Sequence, residues 1–287
     1  MTYVIHGATG AQGRPVLTAL NSDGKPVVAL DRNSGNDAAA TRVIAADYSS
    51  AEQLANAYRG AAGVFIHLPL GSEEVRLRYA HNMVAALADA RPDRVVISTS
   101  GQIIDSPDSP LMQAAGTALP TLLRGVAELG LSHAIVAPRI YLENLLLPPV
   151  IDGIRSRGVL RYPLRADLPV SWASHLDVAD VAVKLFERVD FNGVVAVGQY
   201  PPVTGDGLAR AFSEGLGTNV EYEAITPEEF GSSMIPLVGA DTAARIVALY
   251  TAIASLSTFS LAPEYSVQHL LEMTPRSTQQ WLSDLGI

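Results

Sequence analysis

The sequence predicts an α/β protein, a doubly wound parallel sheet with a smaller, mostly helical C-terminal cap. Two observations support this prediction. Short apolar runs recur between segments of helical character, and the runs are apolar throughout rather than alternating, which is typical of strands covered on both faces. After Tyr200 this alternation stops, and helical patterns predominate.

The elements follow one another in a regular order. The predicted strands of the sheet are residues 3–5, 27–30, 42–45, 64–68, 95–98, 134–137 and 194–197. The helical patterns between them are at 11–20, 73–90, 111–129 and 178–188. The cap has helical patterns at 207–215, 227–234, 241–256 and 277–285, and one strand pattern at 219–223. We therefore predict a first domain of residues 1–150, to which 171–198 return, and a cap of 151–170 and 199–287.

The composition limits the classes of function. The 287 residues include no cysteine, which excludes disulfides, thiolate nucleophiles and cysteine-based zinc sites and suits a reducing cytoplasm. A net charge of −9 without clustered Lys and Arg argues against a nucleic-acid partner. No run approaches the ~18 apolar residues of a membrane span, and the early first strand leaves no room for a signal peptide. We expect a cytoplasmic protein without a membrane partner.

Three glycines follow the first predicted strand at three-residue spacing, in the segment VIHGATGAQG at 4–13. Gly7, Gly10 and Gly13 stand between a strand and a helical pattern, which is the context of the phosphate-binding turn of a Rossmann fold. In that turn, glycines permit the tight bend, the approach to the pyrophosphate and close packing of helix on strand. The other interpretation is an ordinary strand-to-helix loop.

Asp31 favours the first interpretation, because it directly follows the second predicted strand, 24 positions after Gly7, near where a Rossmann fold needs a group for the adenosine ribose. The first domain is therefore predicted to bind a dinucleotide. Asp31 would accept a hydrogen bond from the ribose of NAD(H) and repel a 2′-phosphate, whereas Arg32 beside it would attract the phosphate of NADP(H). Asp31 and Arg32 therefore do not decide between NAD(H) and NADP(H).

Six segments, spread in order over nearly the whole chain, point to one family. They are GATGAQG at 7–13, VVALDRN at 27–33, AADYSSAEQLANAYRGAAGVFIH at 45–67, PRIYLENLL at 138–146, HLDVADVAVKLFE at 175–187 and TPRSTQQWL at 274–282. Together they resemble the NmrA-like atypical short-chain dehydrogenases/reductases. That group includes NADPH-dependent quinone reductases, triphenylmethane reductase, isoflavone-reductase-like enzymes and redox-sensing regulators.

The resemblance implies roles for individual residues. Those implied to wrap the pyrophosphate are Gly7, Ala8, Thr9, Gly10, Gln12 and Gly13. Arg32 is implied to meet the adenosine 2′-phosphate, and Asp47 with Tyr48 to lie against the adenine. Those implied to border the nicotinamide and its ribose are His67, Leu68, Pro69, Tyr141 and Asn144. The resemblance slightly favours NADP(H) over NAD(H).

Three residues have a second interpretation or depart from the resemblance. Asp31 stands where NADPH-binding members commonly have a small apolar residue, so the choice between NADP(H) and NAD(H) stays open. Tyr48 is alternatively a residue at the start of a helix, and Asp47 the cap of that helix.

The usual proton relay of the wider superfamily is missing. Members that reduce carbonyls use Ser, Tyr and Lys, with the tyrosine delivering a proton. Ser98, Thr99 or Ser100 can supply the hydroxyl here, but no Tyr-x-x-x-Lys follows, and the only lysines are Lys25 and Lys184. A quinone or a conjugated cationic dye spreads or neutralises the charge of an incoming hydride itself. The sequence therefore favours such acceptors over unactivated ketones.

Histidines and aromatic residues provide further candidates. His67 ends a strand, and open α/β sheets bind ligands at the carboxyl ends of their strands. The alternative for any lone histidine is a structural role, and His175 with Asp177 is expected to cap a helix. Tyr141 and Trp172 are candidates to stack on an aromatic substrate, or else belong to the core. We predict no metal site. The catalytic candidates are His67, Ser98, Ser100 and Tyr141.

Three functions remain as hypotheses. The first is an NAD(P)H-dependent oxidoreductase that transfers hydride to a conjugated, quinone-like or aromatic small molecule without the Tyr-x-x-x-Lys relay. The second is a non-catalytic redox sensor that binds the dinucleotide and signals to a protein partner. The third is a biosynthetic isomerase or cyclase. The oligomeric state is left open.

Overall fold

The strands and helices are taken from a computed structural model, which describes residues 2–31, 40 and 42–287. The strands are β1 Thr2–His6, β2 Val27–Asp31, β3 Arg42–Ala45, β4 Ala61–His67, β5 Val95–Ser98, β6 His133–Pro138, β7 Ile140–Tyr141, β8 Val159–Tyr162, β9 Trp172–Ala173, β10 Gly193–Val197 and β11 Glu221–Ala224. The α-helices are α1 Gly13–Ser22, α2 Ala51–Tyr58, α3 Glu73–Ala90, α4 Ala118–Glu128, α5 Pro148–Arg157, α6 His175–Glu187, α7 Gly205–Leu216, α8 Pro227–Val238, α9 Ala240–Ala254, α10 Val267–Leu270 and α11 Thr278–Asp284.

Seven strands form one sheet in the order β10-β6-β5-β4-β1-β2-β3, and they are the seven strands that the sequence predicts. Parallel pairing joins β1 to β2 and β4, β2 to β3, β4 to β5 and β5 to β6. The predicted doubly wound parallel sheet is therefore confirmed.

By its internal contacts the chain divides into two compact units. The first consists of Met1–Pro107, Met112–Pro138 and His175–Ala196, and the second of Asp108–Leu111, Arg139–Ser174 and Val197–Ile287. The chain thus leaves the first unit after Pro138 and not at the predicted residue 150. The reason is strand pairing: β7 pairs in parallel with β9, within the second unit, and does not join the large sheet.

The carboxyl ends of β1, β2, β4 and β5 meet at one edge of the large sheet. His6 lies opposite Leu30, and His67 lies opposite Ser98. Asp31 follows Leu30 as the last residue of β2. Parallel pairing therefore brings side chains that are distant in sequence to the edge where open α/β sheets bind ligands.

One face of the sheet is covered by α2, α3 and α4. Leu54, Met83 and Leu122 from these helices share an apolar core with Val4 and Val64 of the sheet. All five side chains are at most 1% exposed. Full burial of a side chain of this size stabilises the fold by about 1.5–3 kcal/mol, so this face holds the sheet edge in place.

The other face is covered by α1 and α6, which pack against each other. Successive side chains of a strand point to opposite faces, so Tyr3 points away from the core that holds Val4. Its ring lies 5.0 Å, centroid to centroid, from that of Phe186 in α6. At the carboxyl edge the loop after β1 and the start of α6 are also neighbours, because Thr9 and Gly10 line the same groove as Leu176.

Arg94 anchors α6 to the sheet. Its side chain is 1% exposed, and its guanidinium donates hydrogen bonds to the carbonyl oxygens of Leu185, Arg188 and Phe191 at 3.0, 3.0 and 2.7 Å. It also donates to Oγ of Ser132 at 2.8 Å. The last carbonyls of a helix lack donors within the helix, so this one buried cation satisfies groups that would otherwise be unpaired.

One helix begins later than the sequence predicts. The helical pattern at 111–129 becomes α4, whose N-cap is Thr117. Before it, Met112 forms a parallel bridge with Ile103, and the amide of Gln113 donates to the carbonyl oxygen of Ile103 at 3.4 Å. The backbone groups of these residues therefore pair with the chain after β5 instead of with a helical turn.

In the second unit β8 pairs in parallel with β11, which corresponds to the strand pattern at 219–223. The helix before β8, α5, lies in a region for which the sequence analysis named no element. Pro148 occupies its first turn, and Gly158 ends it with a φ of +66°. Proline at the start and glycine after the end are recognisable helix signals.

An aromatic cluster forms part of the core of the second unit. The ring of Tyr162 lies 5.5 Å, centroid to centroid, from each of Trp172, Phe230 and Tyr250. Trp172 is 1% exposed, so its ring belongs to this core rather than to a surface on which a substrate stacks. The helices of the described residues all fall short of the length and apolar character that crossing a membrane requires.

Candidate functional site

The turn between β1 and α1 depends on its glycines. Gly7 has a φ of +55°, and a Cβ at this position would lie 2.6 Å from Nε2 of His67. A Cβ on Gly13 would overlap the carbonyl oxygens of Gly7 and His6. The amide of Gly10 donates to the Gly7 carbonyl oxygen at 2.8 Å and closes the turn. Glycine at positions 7 and 13 thus allows the loop backbone to lie against the strand edge.

The amino end of α1 faces this loop. The sequence of its first turn, GRPV, contains no Asp or Glu, and Arg14 within it is exposed. A helix amino end carries a partial positive charge and unpaired amides, which together favour a phosphate or carboxylate. Arg14 adds a full positive charge to this favourable environment.

A groove of about 490 Å³ opens beside the loop, between α1 and α6. Thr9, Gly10 and Arg14 line one side, and Leu176 and Asp180 line the other. Sites for small molecules commonly have volumes of about 300–1,000 Å³. The loop and the helix end offer the groups that bind a phosphate, and the groove beside them has room for a further part of a small ligand.

Asp31 is joined to the glycine loop by a hydrogen bond that its carboxylate accepts from the hydroxyl of Thr9. The carboxylate is therefore held beside an exposed part of the loop. A carboxylate in this place accepts hydrogen bonds from ribose hydroxyls and repels a phosphate group. Arg32, which the resemblance assigns to a 2′-phosphate, lies outside the described residues.

The two residues assigned to the adenine differ in exposure. Asp47 is exposed, and the amide and hydroxyl of Ser49 donate to its carboxylate, which lowers the pKa of Asp47. Asp47 is not the helix cap that was considered as an alternative, because Ser50 accepts the capping bond from the amide of Gln53 at 3.3 Å. Tyr48, by contrast, is 4% exposed, so most of its ring lies in the core.

A buried ring cluster supports the loop from below. The rings of His6 and Tyr48 are stacked at 5.1 Å, and the Tyr48 hydroxyl accepts from the amide of Gly7 at 3.3 Å. Nε2 of His6 lies 2.7 Å from the hydroxyl of Tyr58. Sequence analysis did not single out Tyr58, whose only signal is its place on the buried face of α2.

Three histidines near the edge are neutral bases at physiological pH. Burial, reinforced by the nearby His67, lowers the pKa of His6 to about 3 and that of His175 to about 4. Burial also lowers the pKa of His67, although backbone hydrogen bonds oppose the shift. An imidazole with a depressed pKa is a poor proton donor near neutral pH.

His175 opens α6, and Asp177 lies in the first turn of that helix.

The two candidate serines at the end of β5 are joined through Gln12. The Ser98 hydroxyl donates to Oε1 of Gln12 at 2.8 Å, and Nε2 of Gln12 donates to Oγ of Ser100 at 3.0 Å. The amide of Ser100 donates to Oγ of Ser98 at 3.2 Å. Thr99 between them is fully buried. The structure thus brings a glycine-loop residue to the candidate catalytic hydroxyls, a link that the sequence analysis did not include.

The remaining candidates of the first unit lie around the same edge. Ala8 is fully buried within the loop. Leu68 and Pro69 directly follow β4; Leu68 is 6% exposed and belongs to the apolar core, whereas Pro69 is partly exposed. Pro69 is therefore the one of this pair that reaches the surface.

Tyr141 and Asn144 belong to the second unit. Tyr141 ends β7 and precedes a 3₁₀ helix at Leu142–Leu146. The side chain of Asn144, within that helix, hydrogen-bonds the hydroxyls of Tyr162 and Tyr250, which also bond each other. Burial raises the pKa of both tyrosines, so both hydroxyls stay protonated. Sequence analysis did not foresee this network, because its members come from three separate elements.

The described residues contain no cluster of three or more His, Asp and Glu side chains placed to hold a metal ion. What the first unit brings together is a phosphate-type loop, one anchored carboxylate, neutral imidazoles and paired hydroxyls. This chemistry suits the binding and orientation of an anionic cofactor.

Comparison with known proteins gives the same fold. The family model described as NmrA-like matches residues 1–269. The Citrobacter sp. triphenylmethane reductase, crystallised with NADP(H), is 19% identical with a TM-score of 0.78, and all of both chains is covered. The Escherichia coli NADPH-dependent quinone oxidoreductase, crystallised with NADPH, is 17% identical with a TM-score of 0.74 and the same coverage. A Staphylococcus aureus nucleoside-diphosphate-sugar epimerase is 19% identical with a TM-score of 0.79, covering 98% of this chain and 99% of that one.

Proposed function

Because this chain belongs to the NmrA-like family, we propose that it is an NAD(P)H-dependent oxidoreductase that transfers hydride to a conjugated, quinone-like or aromatic acceptor. The observation that carries the proposal is the glycine loop with Asp31 anchored at its rim. Two proteins of the same fold are named as reductases of this kind, for triphenylmethane dyes and for quinones.

The chain's part in the reaction is to hold and orient the dinucleotide, which supplies the hydride when bound. Gly7 and Gly13 let the loop fold tightly against His67 and the end of β1, where a Cβ would clash, and a loop of this shape offers its backbone amides to a diphosphate. The amino end of α1 and Arg14 offset the negative charge of that diphosphate. Asp31 accepts hydrogen bonds from the adenosine ribose, and the exposed Asp47 takes the contact with the adenine that the family resemblance implies.

The state of the polar groups at this edge favours a conjugated acceptor. The Ser98 hydroxyl already donates its hydrogen bond to Gln12, and the lowered pKa of His67 keeps that imidazole neutral. Lys25 pairs with Glu187 at 2.8 Å, before the amino end of β2 and away from the carboxyl edge. An unactivated ketone would need an acid whose help is worth about 10²–10⁴ in rate.

A quinone carries the hydride charge as a delocalised phenolate, which takes its proton from water. The balanced reaction is one hydride from the dinucleotide and one proton from solvent, which convert the quinone to a hydroquinone. A cationic dye is neutralised by the hydride alone. Positioning of the two reactants then supplies much of the rate.

Steady-state oxidation of NADH and NADPH tests the proposal, with 1,4-benzoquinone, a cationic triphenylmethane dye and cyclohexanone as acceptors. We expect turnover with the two conjugated acceptors and at least about a hundredfold less with cyclohexanone. A chain that binds the dinucleotide but oxidises it with none of the conjugated acceptors contradicts the oxidoreductase assignment.

The same neutral, internally bonded polar groups favour a second candidate, a redox sensor that reports its cofactor to a protein partner. A sensor must bind the oxidised and reduced dinucleotides in different conformations. Hydrogen-exchange profiles of the two complexes test this: distinct profiles without turnover support a sensor, and identical profiles exclude it.

A further inference from the structure

The side chain of Gln12 ties the glycine loop to a different strand. Gln12 is the N-cap residue of α1, but within the described residues its side chain makes no capping bond. Its amide instead bonds Ser98 and Ser100, which are 86 and 88 positions away in sequence. One planar group therefore joins the glycine loop to the end of β5.

Burial determines how this amide is oriented. Ser98 is 1% exposed, and its hydroxyl needs an acceptor, which Oε1 of Gln12 provides at 2.8 Å. With the amide reversed, Ser98 would face an N–H donor and lose that acceptor, which is costly for a buried hydroxyl. Ser100 is partly exposed, and because its Oγ accepts from Nε2 of Gln12, its own proton is available for a further hydrogen bond.

The backbone of Ser100 is held in an uncommon conformation. Its φ is +55°, which is unfavourable for a residue with a side chain, and Gly101 follows with a φ of +83°. Such a conformation persists only where the surroundings determine it. Here the Ser100 amide donates to Oγ of Ser98, and its hydroxyl accepts from Gln12.

From this geometry we infer that Gln12 is a positioning residue that couples dinucleotide binding at the glycine loop to the hydroxyl of Ser100. This inference rests on the proposed function. When the loop closes on a diphosphate, Gln12 fixes Ser100 so that its O–H donates a hydrogen bond to the oxygen of the acceptor. Accepting from Gln12 polarises that O–H and strengthens its donation. Ser100 supplies a hydrogen bond only, and the net proton still comes from solvent.

Hydrogen exchange of the Ser100 amide tests the coupling without any turnover. In the wild-type chain, saturating NADH or NADPH is expected to slow this exchange at least about fivefold, because the loop then holds Gln12 in place. In Gln12→Met, which has a similar volume but no amide, the dinucleotide is expected to change the exchange rate less than about twofold. Gln280→Met, an exposed Gln-to-Met change in α11, is the matched control and should behave as wild type.

The outcomes separate this inference from the proposed function. If the wild-type chain binds neither dinucleotide, the proposed function fails. If both variants bind and the dinucleotide slows Ser100 exchange equally in wild type and Gln12→Met, the coupling through Gln12 is refuted while the proposed function stands.

A double-mutant cycle of Gln12 and Ser100, measured by steady-state kinetics, provides the second test. With 1,4-benzoquinone, Gln12→Met and Ser100→Ala are each expected to lower kcat about tenfold or more, with the dinucleotide Kd changed less than about threefold. The double variant should be no slower than the slower single variant, because both changes remove the same hydrogen bond. Losses that multiply, or a kcat loss in Gln12→Met that is matched by an equal rise in Kd, would refute positioning through Ser100.

Discussion

The hydroxyl of Thr9 donates a hydrogen bond to the carboxylate of Asp31, and this bond joins the glycine loop to the end of β2. The negative charge of Asp31 is thereby fixed at the rim of the loop instead of turning freely into solvent. Any ligand that places a phosphate beside this strand end meets a charge of the same sign.

We expect Asp31→Asn to shift the cofactor preference toward NADPH. Two like charges about 4 Å apart repel by about 4 kcal/mol at an effective dielectric of about 20, and solvent at this partly exposed site reduces the effect. The ratio of the Kd for NADPH to that for NADH should fall by at least about tenfold, measured by fluorescence titration. Thr9→Ser, which keeps the hydroxyl donor, is the control. An unchanged ratio in Asp31→Asn would show that the carboxylate does not face the 2′ position.

We expect Gly13→Ala to destabilise the chain, because its Cβ would overlap the carbonyl oxygens of Gly7 and His6. Overpacking against fixed backbone costs about 1–3 kcal/mol or more. Gly10→Ala is the matched control, since its Cβ would lie 3.2 Å from the Gly7 carbonyl oxygen, and should cost less than about 1 kcal/mol. Urea unfolding without dinucleotide measures the free energy of unfolding of both variants. Equal losses for the two variants would mean that the loop relaxes around position 13.

We expect Arg94→Met to lower the free energy of unfolding by about 3 kcal/mol, because it removes the donors to the buried carbonyl oxygen of Leu185 and to the partly buried ones of Arg188 and Phe191. Arg59→Met removes an arginine from a solvent-exposed pair with Asp89, at 2.7 Å, and should cost about 0–1 kcal/mol. Chemical denaturation measures the free energy of unfolding of the two variants and of the wild-type chain. Similar small losses in both would show that water or neighbouring side chains replace the guanidinium of Arg94.

We expect the chain to lose stability as the pH falls below about 6.5, the pKa of an unfolded histidine. Burial lowers the folded pKa of His6 to about 3, so between these pH values the unfolded state binds more protons. The free energy of unfolding therefore decreases with falling pH, by up to about 1.4 kcal/mol per pH unit for this residue. His6→Gln should reduce the slope between pH 6.5 and 5, whereas His81→Gln, at an exposed position on α3, should leave it unchanged.

The comparison for this last prediction is the slope and not the absolute stability, because His6→Gln also removes the bond to Tyr58. A wild-type slope of zero between pH 6.5 and 5, or an equal slope in His6→Gln, would mean that His6 titrates normally in the folded chain.

The sequence by itself determined the strand runs, the glycine turn and the position of Asp31 at a strand end, as well as the absence of cysteine and of Tyr-x-x-x-Lys. These features depend on residue type and on near neighbours in the chain, where periodicity and turn chemistry act. The start of α4 was predicted too early, because the backbone bonds between Ile103 and Met112 that replace the helical turn are not local to it.

Only the tertiary structure decided the chemical state of the site. Whether His67 is neutral depends on its burial, and which serine hydroxyl donates and which accepts depends on Gln12, a residue more than eighty positions away. Desolvation and hydrogen bonding act between neighbours in space, so the same residue types in another packing would hold other charges and protons.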